Sequence, residues 1–317
     1  MAEVSTINRR PVGHPPGAAR RWHSSLRADR FVTPYLLLLP AAAMFAVFIV
    51  YPIYRQFQIS FYDWHIFPGA QNPGVGFSNF SAIFHDPAIK TAAINTLLFT
   101  VITVPIQMAL GLGAAALLTD RLPGRGLLRG LIFIPVVTSW VVVAYIFAYI
   151  FSPQGGLANT VIGFFAGHTV RTDWLAGKWT GDAVIWIVSI WKGVGWSFIM
   201  YLAALDGVPR TLLEASRVDG ARERSVWRFV VLPAIRPTTA FVTVLLLIGA
   251  SQVWIQVFLL TQGGPYGSTQ VLLGVAYTQA FTNFQFSYAA AIASVMAVVV
   301  LAFSIVNLRL MRRGAVR

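Results

Sequence analysis

The chain is predicted to be an all-α, polytopic membrane protein with six transmembrane helices and a cytoplasmic loop built as a helix pair. Three observations carry this. Mean hydropathy is +0.67, and 56% of the 317 residues are hydrophobic against 11% charged, where a soluble domain has about 25% charged residues. Six apolar runs, 31–54, 91–118, 130–151, 183–205, 238–261 and 288–308, each reach the roughly 20 residues a helix needs to cross hydrocarbon. Within them Lys192 is the one Lys, Arg, Asp or Glu. Helices are the expected form, because in lipid every backbone amide must find its partner within the protein.

The first run follows residues 1–30, whose Gly, Pro and Arg ("GHPPGAARR") predict a disordered cytoplasmic tail. The run exceeds the 7–15 apolar residues usual in a signal-peptide core, so it is read as a retained helix. An even number of crossings puts both termini on one side, and the basic residues say which. Six Arg lie in the tail, three after the second run (Arg121, Arg125, Arg129), six between Arg210 and Arg236, and four at the end (Arg309, Arg312, Arg313, Arg317). The opposite face holds only Arg55, Lys90, Arg171 and Lys178. Both termini are therefore predicted cytoplasmic, and the net charge of +13 follows from orientation and contact with anionic lipid. No nucleic-acid partner is expected, since no single folded face gathers the charge.

Cysteine is absent, which excludes disulfides, a thiolate nucleophile and a Cys-based metal site. No metal site is expected.

The loop 210–237 contains "EASRVDGARERSVWRFVVLPAIRP" from Glu214 onward. Thr211 and Glu214 have the T-x-x-E spacing of a capping box, so a short helix is predicted from there to about Asp219. Gly220 then stands where a left-handed residue ends a helix. A second short helix is predicted up to Pro233, with Val226, Phe229 and Val230 forming one apolar stripe. Such a pair is either a docking element for a cytoplasmic partner or a surface loop whose arginines only enforce topology.

The run resembles the EAA motif of binding-protein-dependent ABC importer permeases: Glu214, Ala215, Asp219, Gly220, Ala221, Leu232, Pro233 and Pro237 match it in type and spacing. Ser216 replaces the usual third Ala, and Trp227 a common Phe. Further segments, from "VGFSNFSAIFHDP" and "NTLLFTV" through "IFIP", "GGLAN" and "IWKGVGWSFIMYLAALDGVP" to "LLTQGGPYGST", resemble carbohydrate and glycerol-phosphate permeases over 31–313. Trp254 and Ile255 depart from the Phe-Asp that many relatives carry there. The resemblance implies a permease domain in a bacterial cytoplasmic membrane, paired with a second, similar permease. It also implies two cytoplasmic ATPase subunits that carry ATP and Mg, an extracytoplasmic binding protein, and a coupling role for the loop. "GGPYGST" would face the binding protein, unless it is a plain turn-rich loop.

A sugar pathway needs aromatic faces for stacking and amides or hydroxyls for hydrogen bonds. Trp191, Trp196 and Tyr201 in the fourth run, and Gln252, Trp254 and Gln256 in the fifth, supply that chemistry, with Gln252 and Gln256 four apart on one predicted helical face. The alternative is ordinary interfacial and interhelical packing. Lys192 lies about 14 Å into its run at 1.5 Å per residue, so it must face water, a carbonyl or a partner, either as a further residue of the substrate pathway or in a structural role.

The chain has three lysines and no G-x-x-x-x-G-K-[ST], so it binds no ATP itself and no cofactor is expected on it. An ion-coupled secondary transporter is the alternative, but such carriers place carboxylates or His inside spans, and the six runs hold none. A membrane-embedded enzyme is the other. Against it, all five histidines (His14, His23, His65, His85, His168) lie outside the runs, and Asp63, Asp86, Asp173 and Asp182 are assigned to outer loops. There is also no H-E-x-x-H or G-x-S-x-G.

Overall fold

The computed structural model of the protein describes residues 22–67, 69, 71–119 and 123–314, and among these there is no β-strand beyond one isolated bridge, Tyr62 to Gly74. The chain divides into two compact units, residues 1–55 and 56–317. In the first, helix α1 (Trp22–Phe45) passes through a π-helical stretch (Ala46–Val50) into α2 (Tyr51–Ile59). Part of the expected disordered tail, residues 1–21, lies outside the described residues; residues 22–30 are instead helical.

In the second unit, two long helices form the spine. These are α4 (Pro87–Thr119), which follows the short α3 (Ser78–His85), and α8 (Lys178–Asp206). Both are apolar almost throughout, yet each buries one stripe at three- and four-residue intervals, Asn95, Phe99, Thr103, Gln107, Gly111 and Ala115 on α4, for example. The opposite side of α4 keeps Leu97, Val101, Leu110 and Leu117 exposed, as a lipid-facing surface requires. The stripes meet closely at glycine. A methyl group on Gly111 would sit 2.5 Å from the Ser197 Cβ and 2.9 Å from the Phe198 nitrogen, so small-residue contact, not side-chain volume, sets this crossing.

Among the described residues four helices are long and apolar enough to cross a membrane: Pro34–Ile59, Pro87–Thr119, Lys178–Asp206 and Phe286–Asn307. Two further pairs qualify as single spans only if bent: α5 (Arg125–Val137) with α6 (Trp140–Ile150) at 99°, and Glu223–Ala234 with α12 (Arg236–Ser251) at 65°. The sequence reads 130–151 as one continuous span, and the structure corrects this. Pro135 lies in the last turn of α5, and Ser139 caps α6 by accepting the Val141 N–H at 3.3 Å. The run 238–261 is also interrupted, at Gln252–Trp254, before α13 (Ile255–Leu260). Three helices went unpredicted, α3, α7 (Leu157–Ala166) and α14 (Leu272–Phe281), the last packed along α15 (Phe286–Gly314).

The 99° break frees the carbonyls at the end of α5, of which that of Pro135 accepts from the Thr138 hydroxyl at 2.6 Å. Lys192 pairs with the freed carbonyls: its Nζ donates to the oxygens of Pro135, Val136 and Thr138 at 2.8, 3.2 and 2.6 Å. An ammonium has three donors, and all three are used. The Trp140 ring centroid lies 5.1 Å from the same nitrogen, and the carbonyl end of a helix is where a cation is stabilised. Lys192 therefore closes the break. Nearby, Gly195 lets α5 approach α8, since a methyl there would meet the Ile132 oxygen at 2.7 Å.

Asp182 also differs from expectation. It is not in an outer loop but in the first turns of α8, 5% exposed.

Two outcomes are expected. Lys192→Met strands the Val136 and Thr138 carbonyls and leaves that of Pro135 with the Thr138 hydroxyl alone, and it should destabilise the folded protein by about 3 kcal/mol; an unchanged thermal unfolding midpoint in detergent would contradict this. Gly111→Ala should lower the amount of folded protein in membranes, whereas Gly113→Ala, which has nothing within 4 Å, should be neutral or stabilising by up to about 1 kcal/mol. Equal behaviour of the two variants would count against the close α4–α8 crossing.

Candidate functional site

Two features stand out: a helical loop at one end of the α4–α8 spine and a polar cavity along its length. The loop begins with α9 (Arg210–Val218), continues through α10 (Glu223–Val226) and a π-helical stretch (Trp227–Val231), and ends in the short α11 (Leu232–Ala234). The capping box expected of Thr211 and Glu214 does not form; Pro209 takes the N-cap position and α9 carries no side-chain cap. Its other end matches the expectation. The N–H of Gly220 donates to the Arg217 oxygen at 3.1 Å and that of Ala221 to the Ser216 oxygen at 3.0 Å, the paired bonds of a Schellman motif. Gly220 has φ +75°, the left-handed region that glycine enters without steric conflict.

The second helix ends at Ala234, one residue past the expected stop at Pro233. Proline lacks the N–H that would bond four residues back, and the preceding Leu232 N–H bonds to the Trp227 oxygen, five residues back. The helix thus absorbs the proline by widening one turn. This shifts the inward face to Val226, Val231 and Ile235 and leaves Phe229, expected on the apolar stripe, 70% exposed. The inward residues join Ala115 and Leu118 of α4 and Phe198, Tyr201 and Leu205 of α8 in one apolar cluster. Glu214, Ala215, Asp219 and Gly220 are exposed, as is Leu232, while Ala221 and Pro233 are half-buried. Among the described residues none of the loop arginines is ion-paired.

The cavity, about 500 Å³, lies where α4, α8 and the broken α12–α13 segment converge. Trp196, Gln252 and Gln256 line it. Gln252 and Gln256 do not share a helical face: Gln252 caps the end of α12 and Gln256 lies in the first turn of α13, so the break brings both to the cavity. Trp191, Lys192, Tyr201 and Trp254 lie off it. Trp191 packs on Phe147 with centroids 5.3 Å apart, Trp254 stacks on Tyr277 at 4.4 Å, and Tyr201 is buried in the cluster beneath the loop.

Sequence reasoning missed Thr103 and Gln107 on α4, Ser189 and Ser197 on α8, and Trp140 at the start of α6, all lining the cavity. A signal existed for four of these. Thr103 with Gln107, and Ser189 with Gly193 and Ser197, recur at four-residue spacing within apolar runs, where polar groups need a partner or a purpose. Nothing local marked Trp140, whose position follows from the break.

At the opposite end of the spine, the loop holding Gly263–Thr269 is pinned from below. Asn95 donates to the Ser268 and Gln270 oxygens at 2.7 and 2.8 Å, and Thr269 donates to the Gly264 oxygen at 2.8 Å. Tyr266, at its tip, is fully exposed.

The family described as "Binding-protein-dependent transport system inner membrane component" matches residues 107–313. The chain is 32% identical over 286 residues to the lactose transport system permease protein LacF of Rhizobium radiobacter, covering 89% of this chain and 94% of that one. It is 31% identical to the arabinooligosaccharides transport system permease protein AraP of Bacillus subtilis, covering 98% and 97%. The fold superposes with a TM-score of 0.79 on a chain of a bacterial alginate ABC transporter solved with an alginate-pentasaccharide-bound periplasmic protein, at 24% identity, covering 93% and 98%. The matched residues include both the helical loop and the cavity-lining part of α8, and the chain belongs to the family of inner-membrane permease components of binding-protein-dependent ABC transport systems.

Proposed function

We propose that this permease imports a carbohydrate or carbohydrate derivative, and that the loop 210–237 couples closure of ATPase subunits to alternating access. In this reading the chain pairs with a second, similar permease and two cytoplasmic ATPase subunits that bind the ATP and Mg, and it receives substrate from an extracytoplasmic binding protein. Both termini are cytoplasmic, which puts the arginine-rich loop on the ATPase side. The substrate class is supported by the lactose and arabinooligosaccharide transport for which LacF and AraP are named and by the aromatic and amide lining of the cavity, which belongs to the transport pathway.

The observation that carries the coupling role is the contrast across the loop. Its outer side, Glu214 to Gly220, is exposed, while its inner side is buried against the ends of α4 and α8. A partner pressing on α9 therefore acts on close-packed side chains that reach both spine helices, and close packing transmits displacement. Among the loop residues Gly220 sets the angle between α9 and α10.

Gly220→Pro cannot adopt a positive φ and should preserve membrane insertion and ATP hydrolysis while reducing sugar uptake tenfold or more. Gly220→Ala, for which the left-handed region costs about 1–2 kcal/mol, should fall between. Uptake, ATPase activity and membrane abundance measured together would decide it: normal uptake in the proline variant at normal abundance would refute the coupling role.

A further inference from the structure

Two hydroxyls depart from the habit of their neighbours. Thr96, Thr100 and Thr119 on α4, and Thr239 and Thr243 on α12, each donate to the carbonyl four residues back at 2.7–3.1 Å, the usual way an apolar helix satisfies such a group. Thr103 and Ser197, 0% and 1% exposed, have no partner at all. Both line the cavity. A buried hydroxyl without a partner is unfavourable, and here two such groups, on separate helices, border the same open volume.

The charge of the cavity is equally informative. Among the described residues no Asp, Glu, Lys, Arg or His lines it; its other polar groups are the Ser189 hydroxyl and side-chain amides such as Gln107 and Gln256, and its flat faces are Trp140 and Trp196. The nearest candidate cation, Lys192, is off the cavity with its donors committed to three carbonyls. It has none left for a ligand.

We propose that the cavity is a binding site for an uncharged carbohydrate segment, with Thr103 and Ser197 exchanging hydrogen bonds with sugar hydroxyls, and that it disfavours sugars bearing a phosphate, carboxylate or sulfonate. The proposal rests on the carbohydrate reading above and narrows it. A sugar hydroxyl both donates and accepts, so it can pair with either orphan group, while the indoles take the C–H faces of a pyranose ring. An anionic substituent would enter a poorly hydrated site with no counter-charge on this chain, which is strongly unfavourable.

The test uses cells carrying the complete transporter and labelled lactose, maltose and cellobiose, each paired with its phosphorylated and uronic-acid derivatives. Expected is uptake of at least one neutral sugar that is lost on deletion of this chain and is not reduced by a tenfold excess of the matching anion. Thr103→Val and Ser197→Ala, combined, should raise the half-saturating concentration of that sugar about tenfold, with maximal rate and membrane abundance little changed. Because these substitutions alter this chain alone, such a shift cannot come from the binding protein. Chain-dependent uptake of an anionic derivative at a comparable rate overturns the proposal and leaves the carbohydrate reading standing, as does an unchanged half-saturating concentration in the double variant. If no sugar in the panel depends on the chain, the carbohydrate reading and the proposal fall together.

Discussion

Three carbonyl oxygens, of Pro135, Val136 and Thr138, converge on the Lys192 ammonium at 2.6–3.2 Å, and two otherwise unfavourable features stabilise each other there. A cation within a membrane span is unstable unless every N–H is bonded, and a helix broken inside the membrane is unstable unless its freed carbonyls are. Neither could persist alone. Together they let α5 end and α6 leave at 99°, which carries Trp140 to the cavity wall. The bonds that hold the break also consume the cation, so the cavity beside it has no ionised lining.

The break in the fifth run has a related consequence without an ionic clamp. Residues 252–254 leave the helix between α12 and α13, and Val253, 2% exposed, is packed into the apolar cluster shared by α4, α6 and α8. Gln252 and Gln256 reach the cavity from either side of this irregular turn. Irregular backbone at membrane depth is tolerated where protein encloses it or where it lines a cavity, and both conditions hold here. Interruption of the two spans, rather than any regular helix face, shapes this part of the cavity.

The helical loop is joined to the same spine. Gly111 allows α4 and α8 to cross at backbone distance, and Phe198 at this crossing, with Ala115 one turn further along α4, begins the cluster that receives Val226, Val231 and Ile235. The loop is therefore packed on the helices that form the cavity wall. Its amphipathic outer helix, with Leu212 and Val218 exposed, is left free for a partner, in keeping with the exposed large apolar groups that mark interaction surfaces.

The sequence by itself determined the class of protein, the position of the helical loop along the chain and the left-handed turn at Gly220, and it read as six spans, four of which are unbroken in the structure. Each of these follows from local pattern: hydropathy over about 20 residues, the glycine and proline punctuation of the loop, and the steric freedom of a single glycine. It also supplied the motif that placed the chain in its family. Only the tertiary structure decided where spans break, which polar groups share a cavity, and what Lys192 does. The partners of Lys192 lie 54–57 residues away in the chain, and no window of sequence contains both the broken helix end and the ammonium that stabilises it. For the same reason Thr103 and Ser197, unremarkable within their own helices, become a pair only where α4 crosses α8.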